Sequence, residues 1–119
     1  MVYIPELWPV KCLGAGSRMQ KLVEDFVEKY GLRTTAEIRY LDLVSEIGEL
    51  GKELIKCRDY GKKDFEMTPQ VAEEVGDCLF SLLALCAELG VDSDTALISA
   101  LSKYRLRFEK KGSVESGEG

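Results

Sequence analysis

Six carboxylates fall at helical spacing in two short stretches of the chain. Asp42, Glu46, Glu49 and Glu53 stand four, three and four residues apart, which at about 100° per residue gathers them into a stripe about 60° wide on one helix face. Glu74 and Asp77 repeat the one-turn spacing, and Gln70 and Ser81 extend the same polar line through a mostly apolar run. Like charges one turn apart repel by about 0.2–0.5 kcal/mol per exposed pair, so a stripe taken alone reads most simply as a solvated acidic face. Its neighbourhood argues otherwise. Ile47 and Leu50 bring Glu46 and Glu49 towards the apolar seam, Lys52 and Lys56 do not interleave with the stripe, and no Lys or Arg accompanies Glu74 or Asp77 on their own helix. Carboxylates at the edge of a core need a cationic partner or a metal. Glu46, Glu49, Glu74 and Asp77, two from each of two adjacent helices, together with waters suit a hard divalent cation, Mg²⁺ or Mn²⁺.

What the chain lacks narrows the chemistry further. It has no histidine among its 119 residues, which excludes Ser-His and Cys-His nucleophile pairs, imidazole metal sites and the Glu-x-x-His motifs of ferritin-like di-iron proteins. There is no G-x-x-x-x-G-K-[ST] phosphate loop, so a triphosphate would be held by metal and side chains. With 16 Lys plus Arg against 21 Asp plus Glu, the formal charge is −5, which disfavours duplex nucleic acid and anionic membranes as partners. The four cysteines, at 12, 57, 78 and 86, form no C-x-x-C pair, and the N-terminus lacks the basic-then-apolar order of a secretory leader. A reducing, cytoplasmic setting is expected, with Cys57, Cys78 and Cys86 as small buried hydrophobes. The most apolar run, from Cys78 to Ala87, falls far short of the roughly 20 residues a membrane span requires.

Four helices must position the acids, and no strand pattern competes with them. The first is expected at about 18 to 30, capped by Ser17 and closed by Gly31, with Met19, Leu22, Val23, Phe26, Val27 and Tyr30 on one face. The second is expected at about 35 to 60, with Thr34 and Glu37 at capping-box spacing and Gly61 as its stop. Thr68, Pro69 and Gly90 bracket the third at 69 to 89. Ser93 or Asp94 starts the fourth, which runs to about 111 and stops at Gly112. Residues 1–16, with two prolines and Trp8, read as an extended arm, 17–112 as one all-α domain, and 113–119 as a disordered tail.

From Cys78 to Ala87 only Ser81 is polar, and a helix apolar all round must be covered all round. The fold expected is therefore a four-helix bundle-like subunit completed by homo-oligomerisation, as a dimer or tetramer, with the third helix near the interface.

The motif Glu46-x-x-Glu49, then 24 residues, then Glu74-x-x-Asp77, with the flanking words Val44-Ser-Glu-Ile-Gly-Glu-Leu-Gly-Lys-Glu-Leu and Glu73-Glu-Val-Gly-Asp-Cys-Leu-Phe, resembles the MazG-like superfamily of all-α nucleotide pyrophosphohydrolases. The resemblance covers about residues 17–111 and is strongest over 44–85. It implies that Glu46, Glu49, Glu74 and Asp77 hold Mg²⁺ against the triphosphate of a nucleotide, which is cleaved between the α and β phosphorus atoms to a nucleoside monophosphate and pyrophosphate. Metal-assisted phosphoryl transfer of this kind needs no histidine. Glu53 or Glu49 would accept the proton of the attacking water. The family's last helix shows a Lys and an Arg one turn apart, and Lys103 and Arg107 match that spacing as phosphate contacts; Leu101 and Ser102 stand where the family often has an asparagine. A basic helix C-terminus complementing its macrodipole is the plainer account of the same residues. Trp8, Tyr40, Phe80 and Tyr104 are the aromatics available to stack on a base.

The reading that follows is Mg²⁺-dependent hydrolysis of a free nucleoside triphosphate, dNTPs included, in nucleotide-pool housecleaning. Two others stand beside it: phosphoribosyl-ATP pyrophosphohydrolysis, and a non-catalytic helical oligomer that binds a nucleotide or a protein.

Overall fold

The computed structural model describes residues 17–111, which form four helices and, among the described residues, no strand: α1 (Arg18–Lys29), α2 (Ala36–Lys56), α3 (Pro69–Leu89) and α4 (Ser93–Lys111). The expected arm, with Trp8 and Cys12, and the expected tail lie outside the described residues. Local chemistry accounts for most of the helix ends. Ser17 caps α1, its hydroxyl accepting from the Gln20 N–H at 3.0 Å. Gly31 follows in the left-handed region, φ +64°, so that the Leu32 N–H reaches Val27 O and the Gly31 N–H reaches Glu28 O, the paired closure that a Cβ would hinder. Gly90 closes α3 in the same way. Asp92, rather than Ser93 or Asp94, starts α4, its carboxylate accepting from both the Thr95 N–H and the Thr95 hydroxyl.

Two expectations about α2 need correction. Its cap is Thr35, whose hydroxyl accepts from the Ile38 N–H; the Thr34 N–H instead binds the Glu88 carboxylate at 3.2 Å. And α2 stops at Lys56, not near residue 60. Asp59, Tyr60 and Gly61 all have positive φ, which reverses the chain before Gly61. The reversal buries Cys57 to 2% exposure and gives its carbonyl the Glu66 N–H.

The helix α3 is the centre of the packing. Arg39 lies over the Phe80 ring while Glu46, farther along α2, meets Glu74 and Asp77, so α2 and α3 run antiparallel. Likewise α1 is antiparallel to α3, with Phe26 edge-on to Phe80 and Gln20 at Val91. The buried apolar side chains are Val27, Cys57, Val71, Leu83 and Ala84. Of the six apolar residues expected on the inner face of α1, only Val27 is buried; Met19, Leu22, Phe26 and Tyr30 are exposed beside it.

The expected four-helix bundle is a three-helix layer with a departing fourth helix. No residue of α4 is buried, and α4 does not pack along α2 or α3. It is tied to α1 through one amide: the buried Gln20 side chain donates to Val91 O at 2.8 Å and accepts from the Ser93 N–H at 2.7 Å.

At the opposite end of α1, Arg33 forks onto Glu88, Nε to Oε2 and Nη2 to Oε1, both at 3.1 Å. The Arg33 hydrogen bond, reinforced by the Thr34 N–H, holds the Glu88 carboxyl below its ordinary value, against the opposing effect of burial. A carboxyl whose folded pKa lies below its unfolded value of about 4.3 stabilises the fold above that value and loses the contribution as pH falls through the folded pKa. Glu88→Gln is therefore expected to lower the thermal midpoint by about 5 °C at pH 7, with the difference closing by pH 3. Circular dichroism melts at the two pH values check this, and an unchanged gap at pH 3 would show that packing, not charge, holds the contact.

Candidate metal centre

The inward face of α2 is a line of Arg39, Leu43, Glu46, Leu50, Glu53 and Cys57, each buried or half-buried, whereas Asp42 and Glu49 are exposed on its flank. The acid stripe is thus split lengthwise by its tilt to α3. On α3, Glu74 is half-buried and Asp77 exposed. The fold brings Glu46, Glu74 and Asp77 together: each offers one carboxylate oxygen, and these lie within 4.8 Å of one another. Glu49, on the outer flank, is not one of this group.

The ends of the stripe are neutralised and its middle is not. Lys56 holds Glu53 at 3.2 Å and Arg39 approaches Asp42 at 4.0 Å. The expectation that Lys56 stands apart from the stripe is therefore corrected: it is one turn from Glu53 and close enough to pair. Among the described residues no ion pair reaches Glu46, Glu49, Glu74 or Asp77. Oε2 of Glu74 is buried without a hydrogen-bond partner. The Glu74 carboxyl is pushed above its ordinary value, first by burial and then by Asp77, Glu46, Glu49 and Glu53, every one an acid. Burial and the nearby acids Glu46, Glu74 and Asp77 also raise the Cys78 thiol.

A divalent cation fits this donor set. Three convergent carboxylates, an orphaned buried oxygen and no cysteine sulfur within the converging group describe a hard-cation site. Because the acids repel one another without a cation, Glu74→Gln is expected to raise the melting temperature in chelator and to abolish the rise that millimolar Mg²⁺ gives the wild type. Thermal shift in chelator and in Mg²⁺ measures both; a lower midpoint for the variant in chelator would contradict the repulsion.

The remaining sequence candidates lie elsewhere. Lys103 and Arg107 are on α4, which does not pack on the acid-bearing helices, and the Lys103 ammonium lies over its own neighbour Tyr104. Tyr40 is on the exposed side of α2, and Phe80 is engaged by Phe26 and Arg39. Sequence reasoning missed Arg39, which is 7% exposed, donates to the Leu32 carbonyl and has no partner for Nε. Its position on the same face, one heptad before Glu46 and two before Glu53, was the available signal. The chain matches no protein-family model, no curated protein and no solved structure.

Proposed function

We propose that the chain is a MazG-like, Mg²⁺-dependent pyrophosphohydrolase that cleaves a free nucleoside triphosphate to the monophosphate and pyrophosphate and works as a homo-oligomer. The observation that carries this reading is the Glu46, Glu74 and Asp77 cluster with its unpartnered Glu74 oxygen, on which the strongest charges acting are all acids. Glu46, Glu74 and Asp77 would hold Mg²⁺ or Mn²⁺, with Glu49 left outside the metal's shell. When bound, the cation supplies charge neutralisation for the triphosphate and acidifies a water. Glu49, exposed, without an ion pair and one turn from Glu46, would accept the proton of that water; Glu53 is the weaker candidate because Lys56 occupies its carboxylate. By the sequence resemblance, Lys103 and Arg107 would provide phosphate contacts, although α4 holds them away from the acid cluster.

Three free thiols, Cys57, Cys78 and Cys86, support a cytoplasmic location, and no described helix is long and apolar enough to cross a membrane. The bare apolar faces of the helices support assembly with further copies. The test is pyrophosphate release from a panel of ribo- and deoxynucleoside triphosphates and phosphoribosyl-ATP in Mg²⁺. Release from a nucleoside triphosphate is expected. Turnover of phosphoribosyl-ATP alone would move the reading to that substrate, and no turnover with metal binding intact would leave a binding module.

A further inference from the structure

We infer that the base of the nucleotide stacks on an aromatic strip made by Phe26, Tyr30 and Phe80, which begins one helical turn from the acid cluster in the corner between α1 and α3. The inference rests on the functional reading above for the triphosphate and on the geometry of this corner for the base.

Helix phase places the strip. Phe80 follows Asp77 by three residues, so the two lie about 60° apart around α3 and about 4.5 Å apart along it. A helical side chain leans back over the turn before its own Cα, which tilts the Phe80 ring towards the turn that carries Asp77. Gly76 in that turn is exposed, and a Cβ there would meet nothing within 4 Å beyond its own stretch of helix, so the ground beside the ring is bare. Phe26 meets Phe80 edge-on with centroids 6.0 Å apart, and Tyr30 tilts against Phe26 at 4.8 Å. Because α1 is antiparallel to α3, Tyr30, one turn beyond Phe26, carries the strip on towards the level of Asp77. The short linker from Tyr30 to α2, held by the Arg39 bond to the Leu32 carbonyl, keeps this end of α1 beside the acid-bearing pair.

The rings are available and their chemistry is particular to this corner. Phe26 is 49% exposed and Tyr30 56%, whereas an aromatic that serves only as core filling is covered. The other bare faces of the layer are aliphatic, with Val75, Leu79 and Leu82 on α3 and Val44, Ile47 and Leu54 on α2, the side chains of helix-packing seams. Half-exposed rings suit a flat partner: every base has a π-face, and stacking on aromatic side chains holds it without reading its edge. Charge agrees with a nucleotide as that partner. The Lys29 ammonium stands 5.4 Å from the Tyr30 ring and the Arg39 guanidinium 5.9 Å from the Phe80 ring, and Lys29 makes no ion pair among the described residues. The strip therefore runs from acids that fit a metal to cations that complement phosphate. Gripping a base by its face, it accepts purines and pyrimidines alike, with purines held more tightly through their larger face.

The test compares ATP with ribose 5-triphosphate, which keeps the sugar and the three phosphates and lacks only the base, by calorimetry in Mg²⁺ or, where they are hydrolysed, by their KM. The wild type is expected to bind ATP about 10-fold more tightly. Phe26→Leu and Tyr30→Leu, which keep apolar bulk and remove a ring, are each expected to weaken ATP about 10-fold and leave ribose 5-triphosphate unchanged, and Phe26→Trp to retain wild-type affinity. Unaltered ATP affinity in both leucine variants overturns the inference, as does an equal loss for the two ligands, which would mean that the variants disturb the metal centre instead. Tyr30 is the more exposed of the two, so Tyr30→Leu decides the matter if Phe26→Leu fails to fold by circular dichroism. A smaller native mass in the leucine variants would show that a second copy, not a base, covers the strip, and overturns the inference too. Equal affinity of the wild type for the two ligands overturns it while leaving the metal centre and the functional reading in place. Binding of neither ligand in Mg²⁺ sinks the functional reading first, and the base site with it.

Discussion

Asp77→Asn is expected to cut pyrophosphate release at least about 100-fold while leaving the helical circular dichroism and the chelator-treated melt at or above wild type. The magnitude follows from the loss of one charged donor among three, since weakening a metal site usually costs one to two orders of magnitude even when only a supporting group is changed. The retained fold follows from the position of Asp77: it is exposed and makes no ion pair, so the amide takes nothing from the packing. Glu49→Gln separates the roles. If Glu49 takes the proton of the attacking water, its variant loses kcat with an unchanged Mg²⁺ requirement, whereas Asp77→Asn raises the Mg²⁺ needed for half-maximal rate. Wild-type turnover in Asp77→Asn would remove the metal assignment altogether, and equal Mg²⁺ dependence in the two variants would place Glu49 among the ligands.

Leu83→Ala is expected to cost about 2–5 kcal/mol, the largest stability effect of any single apolar truncation among the described residues. Only five apolar side chains among the described residues are buried, and Leu83 is the largest of them. Against a typical domain stability of about 5–15 kcal/mol, that loss removes a large share of the total. Urea titration at fixed protein concentration measures it. Val27→Ala, a smaller truncation at the α1–α3 contact, should fall below Leu83→Ala, and the reverse order would show that α1 rather than α3 anchors the core.

Helix boundaries were legible where backbone chemistry dictates them. Pro69 at the first turn and Gly90 in the left-handed region bracket α3 at both ends as its sequence indicates. The end of α2 was not, because apolar periodicity runs on through Cys57 and the reversal depends on Asp59 and Tyr60 taking positive φ, which neither residue type announces. Capping-box spacing pointed to Thr34, but the distant Glu88 claims the Thr34 N–H and Thr35 caps instead. At the candidate site, spacing alone brought Glu46, Glu74 and Asp77 into view. It did not show that Glu49 turns to the flank, since a difference of about 60° around α2 decides between facing α3 and facing water. Nor can periodicity say which molecule covers an apolar stripe, so α4 read as a fourth bundle helix when it departs from the layer.

The Gln20 amide is a small joint with a long lever. The 19 residues of α4 extend about 28 Å at 1.5 Å per residue, so an error of about ten degrees at the joint becomes about 2.5 Å at Lys103, about 3.5 Å at Arg107 and about 5 Å at the tip. Catalytic contacts tolerate displacements well under that. A substitution at Gln20 would thus register less as lost stability than as misaimed cations: a chain that melts almost normally but grips phosphate poorly.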